Sequence, residues 1–268
     1  MAKIIGVGDN VVDKYLDLGL MFPGGNALNV AVLSRRYGAD AAYMGVLGED
    51  RAGRHIYETL QKEGIDVSRV RITEGPNAYS EVTLVDGDRV FVGGDPGVST
   101  QLSFTEDDFE YMKKFDLIHT SVYSYIEDEL KNLKETGKIV SFDFSDSYEQ
   151  SYLNKTLPYV DFAFFSGSGK SLEEIKDFQK KVSEQGPSLV LITRGSKGAI
   201  LYYNGKYYLQ DSVPTKVVDT LGAGDAFIAS LIVSILDGKE VTFAMQKAAE
   251  DAAKTCTYYG AFGYGIEF

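Results

Sequence analysis

The sequence predicts an α/β protein with a mainly parallel central sheet between two layers of helices. Three observations predict it: short strands that are apolar throughout, amphipathic helical segments between them, and glycines where those helices end. Strands that are apolar on both faces belong in a sheet that is covered on both sides. With 268 residues the chain can bury a substantial core, and we expect one domain over residues 1–268.

The segments behind this prediction alternate along the chain. A strand over residues 3–7 precedes a helix over 26–37, which Gly38 ends. A strand over 41–46 then precedes a helix over 51–63, which Gly64 ends. The later predicted strands are 117–119, 139–144, 161–165 and 189–193, each followed by a helical or turn-rich segment.

Two segments interrupt the alternation and predict a small β lid over roughly residues 13–23 and 77–97. Residues 13–23 are predicted to be short and loop-like. Residues 78–93 alternate apolar and polar side chains around Asp86-Gly87, a pattern typical of a β-hairpin. Such a hairpin either closes over a site or only extends the edge of a sheet, and periodicity does not separate the two.

Composition and charge exclude several classes of protein. The net charge is −12 and no long basic run occurs, which argues against a nucleic-acid partner. The longest apolar run, residues 226–236, contains two serines and falls short of the ~20 residues that span a bilayer. A single cysteine, Cys256, excludes a disulfide framework, and two histidines argue against a multi-histidine metal site. We therefore expect a cytoplasmic protein without a membrane partner.

The segment DTLGAGD at residues 219–225 carries the clearest chemistry. Apolar residues at helical spacing follow it, so Gly222, Ala223 and Gly224 open a helix whose backbone N–H groups can bind an anion. Asp225 lies in the same turn, where it can take a proton from an alcohol that attacks a phosphoryl group. An aspartate there also complements the helix dipole without any catalytic role. The glycines before it favour the catalytic interpretation.

Four segments, in the same order as in the family, resemble the ribokinase-like (PfkB) sugar kinases. DTLGAGD resembles the family signature D-T-x-G-A-G-D, and GGNALN at 24–29 resembles its G-G-x-x-x-N motif. GEDRAG at 48–53 resembles a G-x-D-x-x-G turn, and TRGSKG at 193–198 resembles the T-x-G-x-x-G nucleotide turn. The resemblance covers nearly the whole chain and implies a ribokinase-like three-layer α/β/α fold.

Within this family the chain is most similar to the subgroup that phosphorylates fructoselysine. The similarity lies in GDNVVD at 8–13, SFDFSD at 141–146 and DFAF at 161–164. The resemblance implies transfer of the γ-phosphoryl group of ATP, with Mg²⁺, to the 6-hydroxyl of a sugar or glycated amino acid. Relatives often dimerise through their lids, which leaves a homodimer through the lid open here.

The resemblance also implies roles for individual residues. Asp225 matches the catalytic base, and residues 222–224 match the anion hole. Asp13, Gly25 and Asn29 match positions that bind the sugar, while Asn26 is expected to cap its helix.

On the nucleotide side, Thr193, Gly195 and Gly198 match the turn that packs against ATP. Asp219 and Thr220 match positions beside the phosphates, and some relatives hold a monovalent cation such as K⁺ near the residue that Asp219 matches.

Three further expectations concern single positions. Arg89 in the hairpin is a candidate for the α-carboxylate of a glycated amino acid, or else an ordinary exposed strand residue. His119 ends a strand and is expected to be a buried, hydrogen-bonded core histidine. Relatives carry N-x-x-E where this chain has SGSG at 166–169, so no protein ligand for the metal is assigned.

Other functions compete with this interpretation. The motifs do not separate a fructoselysine kinase from a fructokinase, ribokinase or nucleoside kinase. A non-catalytic sensor of sugar or nucleotide stays open because N-x-x-E is missing. A dinucleotide-dependent dehydrogenase is rejected, since Val11 stands where the third glycine of the fingerprint is required.

Overall fold

The computed structural model describes residues 1–85, 88–146, 148–167 and 169–268, with residues 84, 85, 88 and 89 described by their backbone only. The strands in this part of the chain are β1 (Lys3–Val7), β2 (Val11–Tyr15), β3 (Leu20–Gly24), β4 (Asp40–Met44), β5 (Val46–Gly48), β6 (Arg71–Thr73), β7 (Tyr79–Val85), β8 (Asp88–Asp95), β9 (Leu117–Ser121), β10 (Ile139–Asp143), β11 (Phe162–Ser166), β12 (Leu189–Thr193), β13 (Ala199–Tyr203), β14 (Lys206–Gln210) and β15 (Ile266–Glu267). The α-helices are α1 (Asn26–Arg36), α2 (Arg51–Lys62), α3 (Glu106–Met112), α4 (Leu130–Glu135), α5 (Gln150–Thr156), α6 (Leu172–Ser183), α7 (Ala223–Leu236) and α8 (Val241–Thr255).

The central sheet has eight strands in the order β14-β13-β12-β11-β10-β9-β1-β4. Every pair from β12 to β4 is parallel, whereas β13 and β14 add an antiparallel edge. The predicted mainly parallel sheet is therefore confirmed. The predicted strand over 41–46 is divided, because β4 ends at Met44 and β5 begins at Val46 and pairs with β6 instead.

Helices cover both faces of this sheet, as the apolar strands predicted. Side chains alternate between the faces of a strand, so neighbouring residues of β1 enter different halves of the core. Ile4 packs in a cluster with Leu231 of α7, and Ile5 packs in another cluster with Leu133 of α4. The result is a three-layer α/β/α arrangement. No helix among the described residues is long and apolar enough to cross a membrane.

A second sheet has the order β15-β3-β2-β7-β8. It confirms the hairpin predicted over 78–93, although Asp86-Gly87 at its turn lies outside the described residues. The loop-like expectation for residues 13–23 is wrong, because β2 and β3 pair there as an antiparallel hairpin. In the sequence, polar residues and a proline interrupt the apolar pattern of these two strands. Their apolar face is visible only in three dimensions, where Tyr15, Phe22 and Val82 form a small separate cluster.

The parallel strands bring several polar residues to one edge of the central sheet. Asp9 follows β1, Ser121 ends β9, Asp143 ends β10 and Thr193 ends β12. Because the carboxyl ends of parallel strands share one edge, these residues lie near one another, and Asp9, Asp143 and Thr193 line a common cleft, the usual place for a ligand in such folds. The second sheet contributes Asp13 to the same cleft.

Candidate active site

The start of α7 has the open geometry that the glycines predicted. Gly222 is the residue before the helix, with φ 76°, and a Cβ there would lie 2.4 Å from the Cβ of Ala261. Only glycine therefore fits this position. At Gly224, by contrast, a Cβ would meet no atom within 4 Å apart from its chain neighbours and the backbone of its own helix. The first turn of α7 lines the cleft, where a helix N-terminus can bind an anion, although the Ala223 N–H donates to the Thr220 carbonyl at 3.3 Å.

Asp225 is held in the first turn of α7 by two amide side chains from α1. Asn26 Nδ2 donates to Asp225 Oδ1 at 2.8 Å, and Asn29 Nδ2 donates to Oδ2 at 2.6 Å. The two asparagines share one face of α1 because they are three residues apart. Both carboxylate oxygens thus have a donor, which fixes the direction in which this side chain faces the cleft.

Asn26 joins Asp225 to a second carboxylate and to a buried histidine. Its Nδ2 also donates to Asp143 Oδ2 at 2.8 Å, and its Oδ1 lies 2.9 Å from His119 Nε2. The expectation that Asn26 caps its helix is wrong: Gly25 holds the cap position, and Asn26 is the first helical residue, with its side chain turned into the site.

His119 is the fully buried, hydrogen-bonded histidine that was predicted. Its Nδ1 lies 2.8 Å from Ser141 Oγ, and burial lowers its pKa to about 3, so the ring is neutral. With Asn26 Nδ2 donating to two carboxylates, Nε2 of His119 must donate to Asn26 Oδ1, and Nδ1 accepts from Ser141. The histidine therefore fixes the orientation of the amide that holds Asp225.

Asp143 was absent from the predicted site residues. Burial, and then the charge of Asp225, raise its pKa to about 7. A sequence signal existed, since Asp143 lies at the carboxyl end of a predicted parallel strand, but its link to Asp225 through Asn26 depends on the folded chain.

The predicted sugar-binding residues lie around the same cleft. Asp13 is 4 % exposed on β2, opposite Phe22 of β3 and Ser80 of β7. Gly25 has φ 106°, and a Cβ there would meet the Cα of Asn10 at 2.6 Å. Chain packing therefore requires glycine at this position. The side chain of Arg89 lies outside the described residues.

The predicted nucleotide turn borders the other end of the cleft. Thr193 ends β12, and Gly195 and Gly198 have φ 57° and 80° in the short turn that follows. Ala249 and Ala252 of α8 line the cleft as well.

Asp219 is nearly buried, and its side chain is committed to neighbouring residues. Its Oδ2 accepts from the hydroxyl of Tyr15 and from the amide of Gly260, and its Oδ1 accepts from the amide of Leu221 at 3.0 Å. Thr220, next to it, lines the cleft. Asp219 thus ties the second sheet to the loop that precedes α7.

One cleft of about 1060 Å³ is lined by the predicted sugar-binding residues, by the predicted nucleotide turn and by Asp225. Within the described part of the chain, no group of three or more His, Cys, Asp or Glu side chains is arranged to hold a metal ion. Where relatives carry N-x-x-E, Ser166 ends β11, and Ser168 lies outside the described residues. Glu174, in the helix that follows, accepts from the amide of Ser171 at 2.8 Å and caps α6.

The fold and the site define a class of protein. Residues 19–263 match the pfkB family of carbohydrate kinases, and the chain belongs to that family. The predicted ribokinase-like sugar kinase is thereby confirmed.

Individual relatives resemble the chain over nearly its full length. The fructosamine kinase FrlD of Bacillus subtilis (strain 168) is 44% identical, over 99% of this chain and 95% of its own. The fructoselysine 6-kinase of Escherichia coli (strain K12) is 34% identical, over 98% of this chain and 100% of its own. Among solved structures, Arabidopsis thaliana ribokinase complexed with ribose and ATP aligns with a TM-score of 0.81 at 24% identity, covering 97% of this chain and 94% of that one. Xylella fastidiosa fructokinase with bound ATP aligns with a TM-score of 0.78 at 20% identity, with the same coverage. These two likenesses show the fold.

Proposed function

We propose that this protein transfers the γ-phosphoryl group of ATP to the 6-hydroxyl of fructoselysine or a similar glycated amine, in the cytoplasm. The observation that carries the proposal is the position of Asp225, at the start of α7, in the cleft that the nucleotide turn and the predicted sugar-binding residues also line. The fructosamine and fructoselysine kinases among its relatives support the choice of acceptor. Structural neighbours solved with ATP support the choice of donor.

In the proposed reaction Asp225 takes the proton of the acceptor hydroxyl as its oxygen attacks the γ-phosphorus. The N–H groups at the start of α7 stabilise the charge on the transferring phosphoryl oxygens. Asn26 and Asn29 keep both oxygens of Asp225 oriented, so the base is in place before the substrate binds. The bond to the leaving oxygen of ADP breaks as the bond to the sugar oxygen forms.

Mg²⁺ would enter with ATP and neutralise phosphate charge. The described residues provide no cluster of ligands for it, so in this proposal the phosphates and water supply its coordination. K⁺, if it is used, would bind near the loop around Asp219.

The second sheet is proposed to act as a lid. Val11 and Asp13 of β2 and Phe91 of β8 line the cleft, so closure of this sheet would remove water that competes as an acceptor. Val90, Phe91 and Val92 are 41–55% exposed along β8. An apolar strand of this kind supports a homodimer formed through the lid.

The test couples ADP release to a spectrophotometric signal, with fructoselysine, fructose and ribose as acceptors, for the native protein and Asp225→Asn. We expect the highest kcat/KM with fructoselysine. Asp225→Asn, which keeps a side chain of the same shape, should lower kcat by about 10²–10⁴-fold. Calorimetry should find sugar binding in both proteins.

Two results would contradict the proposal. Fructose phosphorylated as fast as fructoselysine would point to a fructokinase. Equal residual rates in the native protein and Asp225→Asn would point to another base, or to a sensor that binds without turnover.

A further inference from the structure

Asp9 lies on the acceptor side of the cleft, away from the nucleotide turn. It follows β1, which is separated from β12 by β9, β10 and β11 in the sheet order. With strands about 4.8 Å apart, the ends of β1 and β12 are on the order of 19 Å apart. Asp9 therefore borders the part of the cleft that is left for the acceptor.

The carboxylate of Asp9 is fixed in place. Its side chain is 7 % exposed, and Oδ1 accepts from Ser121 Oγ at 2.8 Å, Ser124 Oγ at 2.8 Å and the amide of Ala27 at 3.2 Å. These bonds all end on one oxygen, while Asp9 still lines the cleft. A rigid carboxylate at a cleft wall can accept from a ligand without losing further conformational freedom.

Tyr123 and Tyr125 flank Ser124, whose hydroxyl donates to Asp9, in the segment that follows β9. Tyr123 and Tyr125 line the cleft, yet they are 50% and 63% exposed. The hydroxyl of Tyr123 lies 2.8 Å from Ser145 Oγ, and Tyr125 has φ 53°, a left-handed conformation uncommon for a residue other than glycine. Such conformations concentrate at ligand sites, and the two rings here are not used in core packing.

The cleft favours a cation on its acceptor side, away from the nucleotide turn. Aspartates line it, at positions 9, 13, 95, 143, 211 and 225, whereas no lysine or arginine lines it among the residues whose side chains are described. Aromatic faces and carboxylates are the groups that bind ammonium ions.

Asp9 and Asp225 also stand in a fixed relation to each other. Asp9 accepts from the amide of Ala27, and the preceding residue, Asn26, donates to Asp225. The two carboxylates therefore flank the first turn of α1. A hexose with its 6-hydroxyl at Asp225 would have its C1 end on the side away from the nucleotide, where Asp9 lies.

We propose that Asp9, with the rings of Tyr123 and Tyr125, forms a subsite for the secondary ammonium that a glycated amine carries at C1. This subsite rests on the proposed function and deepens it, because it gives a physical reason for preferring a glycated amine. The ammonium donates to the free face of the Asp9 carboxylate, and its charge lies against the tyrosine rings. Plain fructose has a neutral hydroxyl at C1 and gains neither interaction.

The experiment removes the charge from the protein with one substitution and from the ligand with one chemical change. Asp9→Asn keeps an oxygen that can accept from both serines and the Ala27 amide. The matching ligand change is a fructose 1-ether of the same chain length, in which a neutral oxygen replaces the nitrogen. For each protein we measure the ratio of kcat/KM, and by calorimetry the ratio of Kd, for fructoselysine against the ether. The ratio cancels any effect that a substitution has on both ligands.

The native protein should favour fructoselysine, and Asp9→Asn should reduce that preference about 10- to 100-fold, the size of one charged hydrogen bond. Tyr125→Leu should reduce it about two- to fivefold. Asp95→Asn, at an exposed carboxylate that also lines the cleft, is the matched control and should leave the ratio within about twofold.

An unchanged ratio in Asp9→Asn would overturn the subsite, and so would an equal fall in Asp95→Asn, which would assign the preference to the overall charge of the cleft. If Asp9→Asn does not fold, the tyrosine variant decides by the same ratio. If the native protein phosphorylates neither ligand, the kinase assignment fails, while the ratio of Kd still decides for or against the subsite.

Discussion

Asp143→Asn should make the folded protein less sensitive to pH. Burial and the nearby charge of Asp225, with a smaller contribution from Asp9, raise the pKa of Asp143 from its ordinary 3.8 to about 7. The folded state therefore favours the protonated carboxyl. Its contribution to stability is fully present below about pH 4 and is lost as the pH rises through about 7.

The size of the effect follows from this difference in pKa. At about 1.4 kcal/mol for each pH unit, a change from 3.8 to about 7 corresponds to on the order of 4 kcal/mol over the whole range. Between pH 5 and pH 8 the native protein should lose about 3 kcal/mol of unfolding free energy relative to Asp143→Asn. The asparagine cannot ionise, so the Asp143→Asn protein does not lose this free energy as the pH rises.

The assay is urea unfolding at four pH values from 5 to 8, followed by circular dichroism because the chain has no tryptophan. Asp177→Asn, on an exposed face of α6, is the matched control, since it makes the same chemical change at an exposed carboxylate and should follow the native curve. Asp225→Asn should also flatten the pH dependence, because it removes the neighbouring charge. Parallel curves for the native protein and Asp143→Asn would refute the assignment of a raised pKa.

Substitutions at three further positions test the site. Gly224→Ala should leave the urea midpoint unchanged or slightly higher, because its Cβ meets open space, yet lower kcat/KM for ATP about tenfold or more, because the methyl group stands where phosphoryl oxygens approach; full activity would contradict the anion hole. Gly222→Ala should cost about 1–3 kcal/mol of unfolding free energy, since φ is 76° and Ala261 lies too close, and an unchanged midpoint would contradict this. His119→Leu should lower kcat about three- to tenfold with little change in KM for ATP, since the Asn26 amide loses the donor that orients it. His119→Gln, which can still donate to Asn26, should recover most of that loss, and equal losses would indicate a packing role only.

The pattern of strands and helices determined the fold class. A parallel strand that is buried on both faces consists almost entirely of apolar residues, and such runs can be recognised in the sequence. The glycines before Asp225 also marked the helix start correctly, since φ 76° at Gly222 and the contact with Ala261 tolerate no side chain. A glycine-rich helix start is a short segment, so it can be recognised in a single sequence.

The second sheet was predicted only in part. In the hairpin of β7 and β8, apolar and polar residues alternate along the sequence, which made the hairpin predictable. The strands β2 and β3, in contrast, bury their apolar side chains against different partners. Val12 and Met21 join the main core, while Tyr15 and Phe22 pack in the small separate cluster. No single period describes such a strand, so only the folded chain reveals it.

The tertiary structure alone decided how the carboxylate of Asp225 is held. The Asn26 side chain hydrogen-bonds with His119, Asp143 and Asp225, which lie 93, 117 and 199 residues away along the chain, and α1 packs against both β9 and α7. The sequence determined which residues can supply a base, an anion hole and a nucleotide turn. The hydrogen bonds of Asp225, the tautomer of His119 and the pKa of Asp143 depend on burial and on contacts of about 3 Å between segments that are distant in the sequence. These contacts exist only in the folded protein.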